Sequence, residues 1–178
     1  MAIIRDSTQD DVEAIQAIYA IEVLDGLASF EEVPPGVDAM RSRREAVLAQ
    51  GLPYLAAESD GQVVGYCYAS LYRIRPAYRN TLEDSVYVAR GMQGLGVGRA
   101  LLSTLITRCE RGPWRQMLAI IAHGEQTGSI ALHERLGFRH VGRLEAVGYK
   151  QGHWLDTVVM QRALGPGSAV EPDPRTPA

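Results

Sequence analysis

Three glycines spaced two residues apart mark the segment whose residue types and spacing are best suited to chemistry. Gly94, Gly96 and Gly98 follow the strand-like run 85–88 and precede the apolar stretch 100–106. Because glycine has no Cβ, such a loop can direct several backbone N–H groups toward one point. A helix beginning there adds its own unpaired N–H groups and the positive end of its dipole. The segment therefore predicts a seat for a phosphate or pyrophosphate, and with it a phosphorylated cofactor.

Two widespread phosphate-binding loops do not fit this segment. A Walker A loop ends in Gly-Lys-Ser/Thr, whereas Gly98 is followed by Arg99 and Ala100. A dinucleotide fingerprint, G-x-G-x-x-G, begun at Gly94 would need glycine in place of Arg99, and it usually lies in the first strand–helix turn of its domain. A glycine-rich turn without a ligand is the structural alternative. The strand–loop–helix context favours phosphate binding over that alternative.

The composition is that of an ordinary globular domain. The chain has 178 residues, of which 46% are hydrophobic and 22% charged, enough for a sizeable core. A net charge of −3 without a basic run argues against a nucleic-acid partner, and the apolar stretches are too short to span a membrane. Cys67 and Cys109 are expected to be free thiols of a cytoplasmic protein, and no His/Cys/Asp spacing indicates a metal.

Hydrophobic periodicity predicts alternating strands and helices along residues 1–164. Asp60 and Gly61 form a hairpin dipeptide between the second and third strands. The order of elements predicts one α/β domain over 1–164 with helices on both faces of a sheet, and residues 165–178, with four of the nine prolines, are expected to be a disordered tail. Strands are expected over 2–5, 54–59, 63–72, 81–89, 115–122, 138–147 and 153–162, and helices over 10–24, 36–50, 97–110 and 128–136.

The pattern Gln93-x-x-Gly96-x-Gly98 after a strand resembles the acetyl-CoA loop of the GNAT superfamily of N-acetyltransferases. Within that superfamily, further segments resemble the phosphinothricin and methionine sulfoximine acetyltransferase group. These segments span residues 29–156, so the resemblance is much more specific than the loop alone. In chain order they are Ser29-Phe30-Glu31, Gly65-Tyr66, Arg73-Ile74-Arg75-x-x-Tyr78-Arg79, Thr81-x-Glu83-x-Ser85-Val86-Tyr87-Val88, Leu132-His133-Glu134-x-Leu136-Gly137-Phe138 and Val147-Gly148-x-Lys150-x-Gly152-x-Trp154-x-Asp156.

The resemblance implies the GNAT fold, a mixed central sheet of about seven strands flanked by helices on both faces and splayed at strands 4 and 5. In that fold the pantetheine arm of acetyl-CoA lies in the splay and pairs with the free backbone of strand 4. Gln126 stands where the family usually has an Asn that contacts the cofactor, and Glu125 precedes it. The other cofactor-binding residues implied are Val86, Tyr87 and Val88 for the arm, and Gln93, Gly94, Leu95, Gly96, Val97, Gly98 and Arg99 around the pyrophosphate.

Acetyl transfer to an amine requires the amine to lose a proton, because an alkylamine of pKa ~10 is almost fully protonated at neutral pH. Glu83 matches the Glu of the family's Thr-x-Glu segment, and the resemblance makes it the general base; burial would raise its pKa toward the useful range. An exposed strand glutamate is the structural alternative. Strand alternation places Asp84 on the opposite sheet face. The family's geometry implies that the Val88 N–H stabilises the oxyanion.

His133 lies four residues before Gly137, where many superfamily members have a Tyr that protonates the departing thiolate. A histidine is able to act as an acid near neutral pH. It is equally suited to be a helix histidine hydrogen-bonded to a neighbour. The sequence leaves both roles open.

The resemblance further implies an acceptor pocket lined by Arg73, Arg75, Glu83 and Ser85, closed on one side by Phe30. Two arginines are suited to gripping the carboxylate of an amino acid. It also implies a homodimer, with residues 150–156 near the partner. The function predicted is acetylation of a small amino acid analogue, such as phosphinothricin, methionine sulfone or methionine sulfoximine. Acetylation of another amine, such as a peptide N-terminus or polyamine, and a non-catalytic acyl-CoA binding module are the alternatives.

Overall fold

The computed structural model describes residues 2–123 and 127–173. Short 3-10 turns lie at Pro76–Tyr78 and Gly167–Ala169. The elements are β1 (Ile3–Asp6), α1 (Val12–Asp25), α2 (Val37–Ala49), β2 (Tyr54–Ser59), β3 (Gln62–Leu71), β4 (Thr81–Val88), α3 (Val97–Cys109), β5 (Gln116–His123), α4 (Thr127–Arg135), β6 (Arg139–Lys150) and β7 (His153–Ala163).

The seven strands form one mixed sheet in the order β1-β2-β3-β4-β5-β7-β6. β4 and β5 run parallel, and the other neighbouring strands run antiparallel. Tyr19 of α1 contacts the ring of Tyr87 with 5.2 Å between the ring centroids, and α2 packs against α1 on that face. On the other face, the Leu101 carbonyl of α3 accepts a hydrogen bond from the Cys67 thiol. The sheet with helices on both faces confirms the predicted architecture.

β4 and β5 separate halfway along their length. Their register runs from Thr81 opposite Gln116 to Asp84 opposite Ala119, where the pairing ends. β4 continues to Val88, while β5 continues to His123 paired with β7 on its other side. A wedge-shaped gap therefore opens between the carboxyl halves of the two parallel strands. This gap confirms the predicted splay at strands 4 and 5.

The hairpin between β2 and β3 forms at the predicted dipeptide. Asp60 and Gly61 have φ of 52° and 75°, the positive values that a type I′ turn requires at both central residues. β2 has the predicted bounds, and β6 extends three residues past the predicted end at Val147. A register shift between Leu144 and Gly148 interrupts the alternation of β6 there, which is why the sequence pattern ends early.

The C-terminal residues are described as far as 173. Leu164 is fully buried, and the 3-10 turn Gly167–Ala169 follows it. The expectation of a disordered tail over 165–178 stays a prediction. Among the described helices, none has the length and apolar character needed to cross a membrane.

Candidate active site

A cavity of about 1110 Å³ lies at the splay of the sheet. Glu83–Val88 of β4 and Ala119–Ala122 of β5 form its two sides. The glycine loop and α4 border one end, and residues 28–30 border the other. Because the cavity passes between separated strands, it receives side chains from both faces of β4. A long ligand can therefore cross the sheet here and meet groups from either face.

The backbone of β4 presents unpaired groups to this cavity. The Ala89 N–H donates to the Val64 carbonyl at 2.9 Å, so in the alternating antiparallel ladder odd-numbered residues of β4 pair with β3. The N–H groups of Val86 and Val88 consequently point toward β5, beyond the place where the described β5 has separated from β4. Tyr87 directs its backbone toward β3. A ligand with amide groups can occupy the missing strand position.

The glycine loop has the backbone geometry of an anion cradle. Gly94 and Gly96 have φ of 75° and 85°, and apart from the residues that adjoin each glycine no described atom lies within 4 Å of a Cβ built there. Gly96 is the N-cap of α3 and provides no side-chain cap, so the first N–H groups of the helix are available to an anion. The exposed Arg99 borders the same end of the cavity. This end is suited to a pyrophosphate.

Gln93 links the glycine loop to the end of β4 through hydrogen bonds of its side-chain amide. Its Nε2 donates to the Val88 carbonyl at 3.2 Å, and the Gly91 N–H donates to its Oε1 at 3.1 Å. These bonds fix the start of the cradle relative to the free Val88 N–H. Leu95 is largely exposed and Val97 lies in the core, and neither borders the cavity.

Glu83 lies half-buried on the cavity wall, on the face of the sheet that carries Tyr68 and Ser85. Burial, and secondarily the charge of Asp84, raise the pKa of its carboxyl group above the ordinary value. A carboxylate with raised proton affinity is a competent general base. Phe30 borders the same cavity across from these strands.

His133 of α4 pairs with Asp84 of β4, and both residues belong to the lining of the cavity. Its Nε2 lies 3.0 Å from Asp84 Oδ2, and its Nδ1 lies 2.7 Å from the Ser129 carbonyl oxygen. Phe138 packs edge-on against the imidazole at 4.9 Å. Burial lowers the pKa of His133, but the hydrogen bond and charge of Asp84 outweigh burial and raise it above its ordinary value. Both ring nitrogens are therefore occupied by protein groups.

Arg73 and Arg75 lie outside the cavity lining. The Arg73 guanidinium sits over the rings of Tyr72 and Tyr78, 5.1 Å and 5.8 Å from their centroids, and Arg75 is exposed. The structure thus brings Glu83, Ser85 and Phe30 together but leaves these two arginines on the β3–β4 connection. Their expected contact with a carboxylate stays a prediction.

Comparison with known proteins agrees with this geometry. A family model described as an acetyltransferase (GNAT) domain matches residues 4–159. The chain is 54% identical to the phosphinothricin N-acetyltransferase of Alcaligenes faecalis, over 96% of this chain and 85% of that one. The chain belongs to the GNAT acetyltransferases. It is an N-acetyltransferase, and acetyl-CoA is the donor in this family.

Two further similarities are to proteins that are named as acetyltransferases of small amino acid analogues. This GNAT enzyme is 38% identical to the L-methionine sulfoximine/L-methionine sulfone acetyltransferase of Pseudomonas paraeruginosa, over 93% of this chain and 96% of that one. A crystal structure of a phosphinothricin acetyltransferase from Sinorhizobium meliloti in complex with acetyl-CoA superimposes with a TM-score of 0.95 at 44% identity. That match covers 98% of this chain and 95% of the other.

The residues of this GNAT enzyme fit acetyl-CoA along the length of the cavity. The free N–H groups of Val86 and Val88 suit the amides of a pantetheine arm, and the cradle at Gly94–Gly98 suits the pyrophosphate. Arg99 and Arg135 supply positive charge on the described lining. The expected contact from Gln126, and Glu125 beside it, lie outside the described residues.

Sequence reasoning missed two contributors to the site of this enzyme. Strand alternation predicts that Asp84 lies on the far face of β4, but nothing local in the sequence indicates that it meets His133. Lys150 belongs to a segment that resembles the family, and in the structure its Nζ donates to the carbonyl oxygens of Gly26 and Ser29 at 2.9 Å and 2.7 Å. The structure buries this lysine at the end of an otherwise exposed strand, and no local pattern in the sequence indicates that burial.

Proposed function

We propose that this GNAT enzyme acetylates the α-amine of a small amino acid analogue of the phosphinothricin, methionine sulfone or methionine sulfoximine type, with Glu83 as general base. The observation that carries the proposal is the position of Glu83, half-buried where β4 and β5 separate and just upstream of the free Val86 and Val88 N–H groups. Relatives named for these substrates support the acceptor class. Detoxification is the corresponding biological role.

In this mechanism acetyl-CoA supplies an activated acetyl group as a thioester. Glu83 takes a proton from the incoming ammonium, directly or through a water, and its raised pKa gives it the affinity to do so. The Val88 N–H, aimed into the gap, donates to the acetyl carbonyl oxygen as negative charge develops there. Gln93 holds the Val88 carbonyl and so fixes the direction of that peptide.

His133 lies on the cavity wall and supports the reaction through its pairing with Asp84. Direct proton transfer from its Nε2 to a departing thiolate would break the 3.0 Å contact with Asp84, and Nδ1 is held by Ser129. The contacts favour an electrostatic role over direct acid catalysis. His133 would therefore supply no proton to the thiolate that is released when the amine nitrogen replaces sulfur on the acetyl carbon.

The acceptor lies between β4 and the loop that carries Phe30. Tyr68 and Ser85 flank Glu83 on the cavity wall, and the Phe30 ring closes the opposite side. Arg73 and Arg75 lie on the connection that leads into β4, and we assign them to the acceptor carboxylate. Guanidinium groups match a carboxylate with two parallel hydrogen bonds, which would aim the amine at Glu83.

A second copy of the chain covers the exposed edge of the sheet in this proposal. β6 is one of the two edge strands, and with β7 it exposes large apolar side chains that monomeric proteins seldom cluster at an edge. The exposed fractions of these apolar side chains are 50% for Val141, 52% for Leu144, 53% for Val147, 59% for Tyr149 and 67% for Trp154.

Sedimentation velocity should give a dimer for the wild type and a monomer for Trp154→Asp.

A thiol-release assay with acetyl-CoA and a panel of amines tests the proposed acceptor. The panel contains phosphinothricin, methionine sulfone, methionine sulfoximine, ordinary amino acids, spermidine and short peptides. Each analogue is matched by the amine that lacks its carboxylate. Turnover confined to the carboxylate-bearing analogues is the expected result. Turnover with spermidine or peptides alone would contradict the acceptor class, and acetyl-CoA binding without any turnover would favour a binding module.

A further inference from the structure

The partners of His133 determine where its protons lie. A backbone carbonyl only accepts hydrogen bonds, so the 2.7 Å contact with Ser129 requires a hydrogen on Nδ1. A neutral imidazole would then present the lone pair of Nε2 to Asp84 Oδ2 at 3.0 Å. Two acceptors facing each other at that distance in a buried site are unfavourable. A second proton therefore lies between His133 and Asp84.

Burial keeps this proton in the pair. The side chains of His133 and Asp84 are each 2% exposed, so solvent screens their interaction weakly. Asp84 Oδ1 is buried and has no hydrogen-bond partner among the described residues, which leaves His133 to balance the carboxylate. A carboxyl group is intrinsically a stronger acid than an imidazolium, so the proton resides on the imidazole.

We propose that His133 and Asp84 form a buried imidazolium–carboxylate pair in the resting enzyme at neutral pH, and that the charge state of this pair controls how strongly Glu83 holds a proton. His133 and Asp84 are positioning residues in this account, because neither touches the reacting atoms. The effect of the pair on Glu83 rests on the proposed role of Glu83 as general base. The imidazolium–carboxylate state of the pair is independent of that role.

Among the described titratable groups near Glu83, Asp84 is the one whose charge raises the proton affinity of the Glu83 carboxylate. Cys67 of β3 and Cys109 of α3 face Asp84, but burial raises the pKa of both thiols, that of Cys109 to about 12. Tyr68 of β3 faces Glu83, and burial raises its pKa as well. These groups stay uncharged at neutral pH. The imidazolium on α4 is the compensating charge, since it pairs with Asp84 directly.

Nitrogen-15 NMR of the imidazole groups tests the charge state independently of activity. The signal that disappears in His133→Gln identifies His133. In the wild type at pH 7.5 (about one unit above the ordinary histidine pKa), both nitrogens of His133 should carry protons. In Asp84→Asn the ring should be neutral with the proton on Nδ1. A neutral His133 in the wild type would overturn the proposal.

The chain offers a matched control for this measurement. His140 Nε2 lies 3.0 Å from Glu134 Oε1, the same kind of pair at the same distance, but its side chains are 52% and 53% exposed. Glu134→Gln should alter only the His140 signals and leave the protonation of His133 unchanged. A change at His133 in this variant would contradict the assignment of its proton to Asp84.

The acidic limb of kcat/KM against pH tests the coupling to Glu83. Asp84→Asn removes the negative charge next to Glu83 together with the imidazolium that it pairs with. The limb should still move lower, by up to about one pH unit, because Asp84 is the neighbouring charge that acts on Glu83. His133→Gln removes only the compensating positive charge and should move the limb higher. A pair with a merely structural role would reduce activity in both variants without opposite shifts, and that result would overturn the coupling. Calorimetric acetyl-CoA affinity verifies that each variant is folded. An acidic limb that persists in Glu83→Gln would refute the role of Glu83 while leaving the NMR result intact.

Discussion

The ammonium of Lys150 lies 2.7 Å from the carbonyl oxygen of Ser29, although the two residues are 121 positions apart in the chain. Lys150 is 4% exposed, and its Nζ also donates to the Gly26 carbonyl at 2.9 Å. Burial lowers its pKa below the ordinary lysine value, with nearby glutamates opposing the effect. Ser29 in turn shares a hydrogen bond with the Tyr19 hydroxyl. The C-terminal hairpin thus anchors the loop that places Phe30 at the cavity.

Lys150→Met should weaken acceptor binding more than acetyl-CoA binding. The substitution keeps the apolar stem but leaves the buried Ser29 carbonyl and the partly buried Gly26 carbonyl without their donor, which costs about 2 kcal/mol of unfolding free energy. The loop that carries Phe30 then loses its anchor, so KM for the acceptor rises. Steady-state kinetics and urea unfolding measure the two effects. An unchanged acceptor KM would show that the loop is positioned by other contacts.

Gln151→Ala is the matched control for this prediction. Gln151 also bonds across the chain, from its Nε2 to the Leu24 carbonyl at 2.9 Å, but it is exposed to solvent. Water can replace its hydrogen bond, so stability and acceptor KM should both stay close to those of the wild type.

Gly96→Ala should reduce acetyl-CoA affinity beyond its effect on stability. A Cβ at φ 85° is strained by about 1 kcal/mol, and it would occupy the open space above the N-terminus of α3. Gly61→Ala carries the same kind of strain at φ 75° in the β2–β3 hairpin, which does not border the cavity. Calorimetry should show weaker acetyl-CoA binding for Gly96→Ala alone. Equal affinities in the two variants would argue against the cradle.

Arg5 and Asp11 make stability depend on pH below the ordinary carboxyl range. Arg5 Nη1 and Nη2 donate to the two Asp11 carboxylate oxygens at 2.7 Å and 2.8 Å, and this bond to Arg5 lowers the pKa of Asp11. A lowered folded-state pKa stabilises the protein above the ordinary Asp11 value of 3.8. That stabilisation is lost as pH falls through the lowered folded-state value.

Arg5→Met should therefore flatten the fall in unfolding free energy between about pH 5 and pH 2. Denaturant titrations across this range measure the slope. Asp11→Asn should flatten it at least as much, because it also removes the titration that the Thr8 hydrogen bond affects, while keeping the 2.8 Å contact between Arg5 and Glu58. If both variants keep the wild-type slope of unfolding free energy against pH, the Arg5–Asp11 pair is not the source of that slope.

Arg75→Ala should raise KM for phosphinothricin and leave acetyl-CoA affinity unchanged, because the lost guanidinium is assigned to the acceptor carboxylate. Arg111→Ala removes another exposed arginine remote from the cavity lining and serves as the control. If acceptor KM is the same in both variants, Arg75 has no part in carboxylate recognition.

Local patterns in the sequence predicted most of the fold. Apolar periodicity located β2 at its observed bounds and the other elements near theirs, and the Asp60-Gly61 dipeptide predicted the hairpin. The same reasoning ended β6 early, because the register shift after Leu144 breaks the two-residue alternation. Periodicity reports which face of an element is buried, so it fails where a bulge changes that face.

The site was predictable only where its residues are close in sequence. The glycine cradle and the free backbone of β4 fall in one continuous segment, so local sequence patterns were able to predict both. The partners of His133 and Lys150 lie 49 and more than 120 residues away, and no local pattern specifies which side chain will meet which across the sheet. Strand alternation gave the face of Asp84 but not its partner.

The most direct test compares Glu83→Gln with the wild type for turnover of phosphinothricin and for calorimetric acetyl-CoA affinity in the same preparations. Glu22→Gln is the matched control, because Glu22 of α1 borders the same cavity. The account predicts that Glu83→Gln binds acetyl-CoA as the wild type does and loses kcat by about 100-fold or more, most severely at low pH, while Glu22→Gln keeps its turnover. Wild-type kcat in Glu83→Gln across the pH range would contradict the proposed mechanism.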